Sequence, residues 1–243
     1  MAILDNFISK QEISQARTPK EFVDWFEEKI KFTEEHKELF NIQSLSLFTV
    51  KKFYEELFPL YRLLQHKEKE WANTKIIAPI FETQNFDVKI ETSIKFIPKY
   101  IEITQADMNT EEYLRTRYRL EHGSVSVFGK VTQSGTKKTG LRISVKDEAI
   151  DGSELIFKKK EQIEAAIKKK INVIKRPDDT ALLVYFDDYI GFSQSKDKRD
   201  ISVLVNSVCA YLRGYFIGLF VVGASGKNFW QKLVYTSDTN TSS

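Results

Sequence analysis

Two short segments of this chain alternate apolar and polar residues, and each carries one carboxylate that could bind a metal. The segments are residues 86–91 and 100–106. Such alternation is typical of half-buried β-strands, and an antiparallel pairing with Lys89 opposite Tyr100 places Asp87 opposite Glu102. Two neighbouring carboxylates on one sheet face repel each other unless a cation compensates them, and divalent cations prefer carboxylate oxygens. Asp87 and Glu102 therefore form a candidate metal site, with a solvated sheet face as the alternative.

An Asp on one strand followed by a Glu in the run Ile-Glu-Ile-Thr-Gln-Ala of the next resembles the PD-(D/E)XK, or restriction-endonuclease-like, superfamily. The resemblance covers roughly residues 45–223 in the order of elements. It implies an α/β fold with a central mixed sheet flanked by helices, and Mg²⁺ or Mn²⁺ held by Asp87 and Glu102. A glutamate on the helix before the first core strand can complete the metal site in this family, and Glu56 occupies that place here.

One position departs from the family's motif. The family's lysine usually stands two residues after the Glu, where this chain has Thr104. Some members supply the lysine from a neighbouring helix, and a helix at about 158–175 offers Lys170. This residue falls within an apolar stripe, which consists of Ile163, Ile167, Ile171 and Ile174. A lysine on a buried stripe must pair with a carboxylate, lose its proton or reach water. We predict pairing with Asp87 and Glu102; the alternative is that Lys170 extends to solvent from the edge of the stripe.

Composition and charge limit the function classes. The chain has 243 residues, of which 42% are hydrophobic and 29% charged, and its net charge is +3, which is typical of an ordinary globular protein. The positive charge is concentrated in residues 158–176. We expect nucleic-acid-binding lysines there and in a polar loop, although a solvated helix face and a plain hairpin turn explain the same residues. The predicted backbone-binding residues are Lys137, Lys138, Lys168 and Lys169.

Several common types of site are disfavoured. The single cysteine, Cys209, cannot form an intramolecular disulfide, and three histidines leave almost no scope for a Cys/His zinc site. The N-terminus lacks the apolar core of a signal peptide, and the longest apolar run, around 215–224, is too short to span a bilayer as a helix. We therefore expect a cytoplasmic protein that does not contact a membrane.

The remaining elements alternate between helices and strands. We expect a helical N-terminal region (1–70) packed on an α/β nuclease-like domain (71–236), followed by a disordered tail (237–243). Helices are predicted after Thr18-Pro19, from Ser44 or Ser46 through Leu64, and over 107–121, 158–175 and 200–213. Strands are predicted over 75–81, 85–91, 100–104, 124–131, 141–145, 180–186, 216–222 and 229–235.

These patterns favour a metal-dependent nuclease-like protein that acts on or binds the phosphodiester backbone, with Asp87, Glu102 and Lys170 as catalytic residues. Mg²⁺ or Mn²⁺ is the expected cofactor, DNA the favoured partner, and a homodimer one option. The alternative is a catalytically inactive protein of the same fold that serves as a nucleic-acid- or protein-interaction module, and Thr104 in the lysine position favours that alternative. Convergence of the two carboxylates and a lysine amine at one position would distinguish the two.

Overall fold

A computed structural model describes residues 7–36, 47–80, 84–106, 114–115, 118, 122–123, 130–135, 142–146, 151–171, 176–189 and 195–234. Its helices are α1 (Lys10–Ser14), α2 (Pro19–Glu35), α3 (Phe48–Lys52), α4 (Phe58–Lys67), α5 (Gly152–Ile171) and α6 (Ser195–Leu212), and a π-helical turn, Phe53–Leu57, joins α3 to α4. Its strands are β1 (Lys75–Ile77), β2 (Val88–Glu91), β3 (Tyr100–Gln105), β4 (Lys130–Ser134), β5 (Arg142–Lys146), β6 (Thr180–Phe186), β7 (Gly218–Gly223) and β8 (Phe229–Leu233).

Six of the strands form one mixed sheet in the order β1-β2-β3-β6-β7-β8. The pairs β3–β6 and β6–β7 are parallel, and the outer pairs are antiparallel. In the β2–β3 pair Lys89 lies opposite Tyr100, which confirms the predicted register. The strand predicted over 180–186 is also confirmed, and it occupies the centre of the sheet, where both faces are buried. The chain therefore has an α/β fold built on a mixed six-stranded sheet.

Helices cover both faces of this sheet. On the front face, α2, the π-helical turn and α4 share a hydrophobic core with Ile101 and Ile103 of β3. On the back face, α5 and α6 pack against Leu182 and Val184 of β6. Neighbouring residues of a strand point to opposite faces, so Leu183 joins the front core. The helical N-terminal region is thus packed on the sheet and shares its core.

Local sequence explains where α2 begins. The hydroxyl of Thr18 accepts a hydrogen bond from the N–H of Glu21, whose carboxylate accepts one from the N–H of Thr18. This capping box precedes Pro19, which needs no hydrogen-bond acceptor at the first helical position. In contrast, α3 begins after Leu47 without a side-chain cap, and the predicted caps Ser44 and Ser46 lie outside the described residues.

Some predicted boundaries were wrong. The first strand, predicted over 75–81, ends at Ile77, and the second begins at Val88 rather than at residue 85. The strand predicted over 124–131 overlaps β4 (Lys130–Ser134) only at residues 130–131, and residues 124–129 lie outside the described residues, whereas the strand predicted over 141–145 corresponds to β5. Among the described residues, β4 and β5 pair with each other and not with the main sheet. Most of the helix predicted over 107–121 and the whole predicted tail lie outside the described residues. In the described part of the chain, no helix has the length and apolar character needed to cross a membrane.

The turn between β7 and β8 is held by a buried carboxylate at the end of β6. Asp188 accepts hydrogen bonds from the N–H and the hydroxyl of Ser225, each at 2.7 Å, and from the side-chain amide of Asn228 at 2.6 Å. These contacts satisfy a carboxylate that is only 5% exposed. Asp188 is therefore a structural residue, as its turn-like sequence context indicates.

This arrangement predicts a strong effect of one methyl group. A Cβ added at Gly223 would lie 2.0 Å from Oδ2 of Asp188, whereas one added at Gly218 of the same strand would meet Cδ2 of Leu233 at 3.3 Å. Since a flexible leucine can move and a fully hydrogen-bonded carboxylate cannot, Gly223→Ala should lower the free energy of unfolding by roughly 1–3 kcal/mol. Urea denaturation of both variants tests this, and equal losses for Gly223→Ala and Gly218→Ala would contradict it.

Candidate functional site

A pocket of about 390 Å³ lies at the carboxyl end of β3. The π-helical turn approaches it from the front of the sheet and the C-terminal end of α5 from the back. Its lining consists of Glu55, Glu56, Asp87, Glu102, Ile103, Thr104, Gln105, Lys169 and Lys170. The pocket therefore brings together all three residues that the sequence predicts as catalytic, together with the predicted third carboxylate.

Asp87 is positioned by hydrogen bonds to β3 immediately before β2 begins. Its N–H donates to the carbonyl of Ile101 at 2.9 Å, and its Oδ2 accepts the N–H of Ile103 at 2.6 Å. The pKa of this carboxyl is raised to about 6, chiefly by burial and secondly by the nearby negative charge of Glu56. The Ile103 N–H and the charges of Lys170 and Lys52 act in the opposite direction. Asp87 is thus a carboxylate whose charge its surroundings compensate incompletely.

Glu102 is more deeply buried, with 7% of its surface exposed, and has two cationic partners. The Nζ of Lys170 lies 2.8 Å from Oε1, and the Nε of Arg176 donates to Oε2. The pairing of Lys170 with Glu102, predicted from the apolar stripe of the helix, is therefore observed. This contact brings an ammonium group to Glu102 from α5, which is a different element from the strand that carries the glutamate. The catalytic role of Lys170 stays a prediction.

Arg176 is the site residue that the sequence analysis missed, since it was counted only within the basic cluster. Its side chain is 4% exposed. Besides Glu102, it donates to the backbone carbonyl of Lys170, and its Cζ lies 4.5 Å from the ring centroid of Phe216. A guanidinium has several donors in a fixed plane, so it can bridge a carboxylate and a helix carbonyl in a way that an ammonium cannot. The one available signal is its place just after a helix end, where cations interact favourably with unpaired carbonyls.

The π-helical turn supplies the remaining acidic residues. Glu56, named from the family resemblance, lines the pocket and forms an ion pair with the buried Lys52. Glu55 lies 3.8 Å from Lys51, and burial raises the pKa of its carboxyl above the ordinary value. The front wall of the pocket therefore carries two further acids, of which Glu56 influences Asp87 directly.

Two of the four predicted nucleic-acid-binding lysines lie within the described residues, and they have different surroundings. Lys169 lines the pocket, whereas Lys168 points to solvent and pairs with Glu164 at 2.6 Å. Lys137 and Lys138 lie outside the described residues. Of the two lysines that the structure describes, Lys169 is thus the one placed where a backbone phosphate in the pocket could reach it.

The donor set of the pocket fits a hard divalent cation in its chemistry. Asp87, Glu102 and Glu56 offer carboxylate oxygens, and Mg²⁺ commonly uses one or two carboxylates and keeps several waters. A preformed cluster of three or more His, Cys, Asp or Glu residues that could hold a metal is not found among the described residues. A cation bound by Glu102 would also share that carboxylate with Lys170 and Arg176. The pocket therefore offers the kind of donor atoms that a divalent cation prefers, but the described residues do not form a preassembled set of metal ligands.

Comparisons with known proteins do not assign this chain to a family. A scan against protein-family models, a search of curated proteins and a search of solved structures each found no match for this chain. Function therefore has to be inferred from the site itself.

The raised pKa of Asp87 predicts a pH-dependent cost to stability. Because the folded-state value of about 6 lies above the ordinary value of 3.8, folding favours the protonated carboxyl, and the protein loses stability as the pH rises from about 4 to 6. Asn at this position can still accept the Ile103 N–H but carries no charge. Asp87→Asn should therefore be more stable than the wild type at pH 8 by about 1–3 kcal/mol, and this difference should fade as the pH falls below 6.

Urea denaturation between pH 4 and 8 measures this difference. Asp151→Asn is a control of opposite sign, because the N–H of Ser153 lowers the pKa of Asp151 below its ordinary value. A stability difference for Asp87→Asn that does not change with pH would show that Asp87 titrates normally.

Proposed function

We propose that this protein is a divergent restriction-endonuclease-like phosphodiester hydrolase, dependent on Mg²⁺ or Mn²⁺ and acting on nucleic acid. The observation that carries the proposal is the 2.8 Å contact between Lys170 Nζ and Glu102 Oε1 at a pocket that Asp87 also lines. A nuclease of this type needs two carboxylates and an ammonium group at one position, whereas a binding module does not.

The order of elements around the pocket supports the same reading. A helix, α4, precedes the meander β1-β2-β3, and the helix α5 then leads into the parallel strand β6 beside β3. This is the order implied by the resemblance that the Asp and Glu motif carries. The restriction-endonuclease-like assignment is part of the proposal, because α/β proteins with mixed sheets have many different activities.

Each residue of the pocket has a distinct task in this reaction. Asp87 and Glu102 would hold the metal ion, with Glu56 as a third acid. When bound, the ion supplies polarisation of the scissile phosphate and a lowered pKa for the attacking water. The Lys170 ammonium stabilises the negative charge that develops on the phosphate. Lys169 at the pocket wall attracts the neighbouring backbone, so binding should weaken as salt concentration rises.

A second function is favoured by a specific feature of Glu102. Both of its oxygens already have cationic partners, Lys170 and Arg176, and the described residues hold no preassembled metal cluster. A protein that kept the fold but lost catalysis would look like this, with the lysine and arginine serving only to stabilise a buried carboxylate. The alternative is therefore an interaction module without hydrolase activity.

Cleavage assays distinguish the two functions. With Mg²⁺ or Mn²⁺ and a panel of single- and double-stranded DNA and RNA, the wild type should cleave at least one substrate. Glu102→Gln should abolish cleavage, and Lys170→Met should lower kcat by about 10²–10³-fold, since it removes charge stabilisation at the reacting phosphate. Lys168→Met is the matched control, because Lys168 is on the same helix but is exposed and paired with Glu164, and it should retain activity.

A metal-binding measurement is the second test of the proposed function. Isothermal titration of the wild type with Mn²⁺ should give one site that Asp87→Asn weakens. Absence of both cleavage and Mn²⁺ binding would reject the hydrolase in favour of the module. Cleavage that survives Glu102→Gln unchanged would place any activity elsewhere.

A further inference from the structure

The helix before the sheet contains an irregularity with a cause in the sequence. In an α-helix the N–H of residue 59 would bond to the carbonyl of Glu55, and in a π-helix to that of Tyr54. Residue 59 is a proline, which has no N–H. The chain forms a π-helical turn at Phe53–Leu57, and the N–H of Phe58 bonds to the carbonyl of Phe53, five residues back. Pro59 thus removes the N–H that would bond to the Glu55 carbonyl in an α-helix or to the Tyr54 carbonyl in a π-helix.

A side chain from the sheet replaces the missing donor. The Nε2 of Gln105 lies 3.0 Å from the carbonyl oxygen of Tyr54 and 3.2 Å from that of Glu55. An amide NH₂ group has two hydrogens, so one glutamine can satisfy both carbonyls. Gln105 is the last residue of β3, the strand that carries Glu102. A direct polar connection therefore links the strand that carries Glu102 to the turn that carries Glu55 and Glu56, two of the other three pocket carboxylates.

From this connection we propose that Gln105 is a positioning residue, which fixes the π-helical turn so that Glu56 faces the metal site formed with Asp87 and Glu102. The inference rests on the proposed function, because it concerns how that same site is completed. A π-helical turn contains one residue more per turn than an α-helical one, so the direction of every side chain within it depends on where the turn is held. Such turns are frequent at functional sites.

The Gln105 amide contacts the turn through the backbone carbonyls of Tyr54 and Glu55 and not through the Glu56 side chain. Gln105 therefore acts on the site through the position of the turn. Its removal should weaken metal binding only as far as Glu56 contributes to that binding. This dependence separates a positioning role from general damage to the pocket.

The test is a Mn²⁺ binding cycle measured by electron paramagnetic resonance, which needs no catalytic turnover. Gln105→Met has a similar shape but no donor, and it should weaken Mn²⁺ affinity by about 10–100-fold, the range found for groups that orient metal ligands. Glu56→Gln should weaken it to a similar extent, and the double variant should be no weaker than Glu56→Gln alone. Gln231→Met, at an exposed position on the edge strand β8, is the matched control and should bind as the wild type does.

A metal-free measurement tests the connection itself. Gln105→Met should lower the melting temperature by about 2–4 °C. Pro59→Ala restores a backbone donor to the turn, so in that background the same substitution should have a smaller effect. An equal loss in both backgrounds would show that Gln105 does not replace the donor missing at Pro59, and would overturn the inference.

The outcomes separate the two proposals. If the wild type binds no Mn²⁺, the proposed function fails, and the positioning role of Gln105 fails with it. If the wild type binds Mn²⁺ but Gln105→Met has no effect, or has an equal effect with and without Glu56, the metal site stands and only the role of Gln105 is overturned.

Discussion

The buried carboxylate of Glu102 is the constraint on which the arrangement of the site depends. A carboxylate that is 7% exposed in the middle of a sheet has lost most of its hydration, and an unpaired charge there would cost several kcal/mol. Lys170 and Arg176 supply the compensation from the end of α5 and the turn after it. The same contacts fix where α5 ends relative to β3, because Arg176 also bonds to the Lys170 carbonyl. Buried ion pairs are seldom more stabilising than well-packed apolar residues, so the free energy of folding alone does not explain why this group is charged.

The charges of the pocket are unevenly distributed, with cations on one side and acids on the other. Glu102, at the α5 side, has two cationic partners. Asp87 lies beside a second acid, Glu56, and the pKa of its carboxyl is raised by burial and by that neighbour. A cation is therefore drawn toward Asp87 and Glu56, while an anion is drawn toward Lys169 and Lys170. Hydrolysis of a phosphodiester with a divalent metal requires both tendencies within one small volume, and a plain structural ion pair requires neither.

Much of this arrangement could be predicted from local pattern. Period-two alternation placed Asp87 and Glu102 on neighbouring strands in the observed register, because a buried face specifies register strongly. The apolar stripe of α5 indicated Lys170 because a lysine among isoleucines needs a partner. The contact of Arg176 could not be predicted from local pattern. Arg176 comes after the helix and is not part of its apolar stripe, and it is 74 residues from Glu102 along the chain. The separate β4–β5 pair was also missed, since alternation identifies a strand but not the sheet that it joins. Pro59 lacks the N–H that a regular helix needs, but the side chain that donates to the Glu55 carbonyl instead, Gln105, is 50 residues from Glu55 along the chain.

The position of Thr104 on β3 bears on how Lys170 reaches Glu102. Residues two apart on a strand point to the same face, and Ile101 and Ile103 of β3 belong to the front core. Glu102 and Thr104 therefore face the back of the sheet, where α5 packs. A lysine at position 104 of β3 would occupy the same space beside Glu102 as Lys170 of α5. The two ammonium groups would therefore compete for one carboxylate. A short threonine leaves that space open to Lys170, and the Arg176 contact with the end of α5 holds the lysine there.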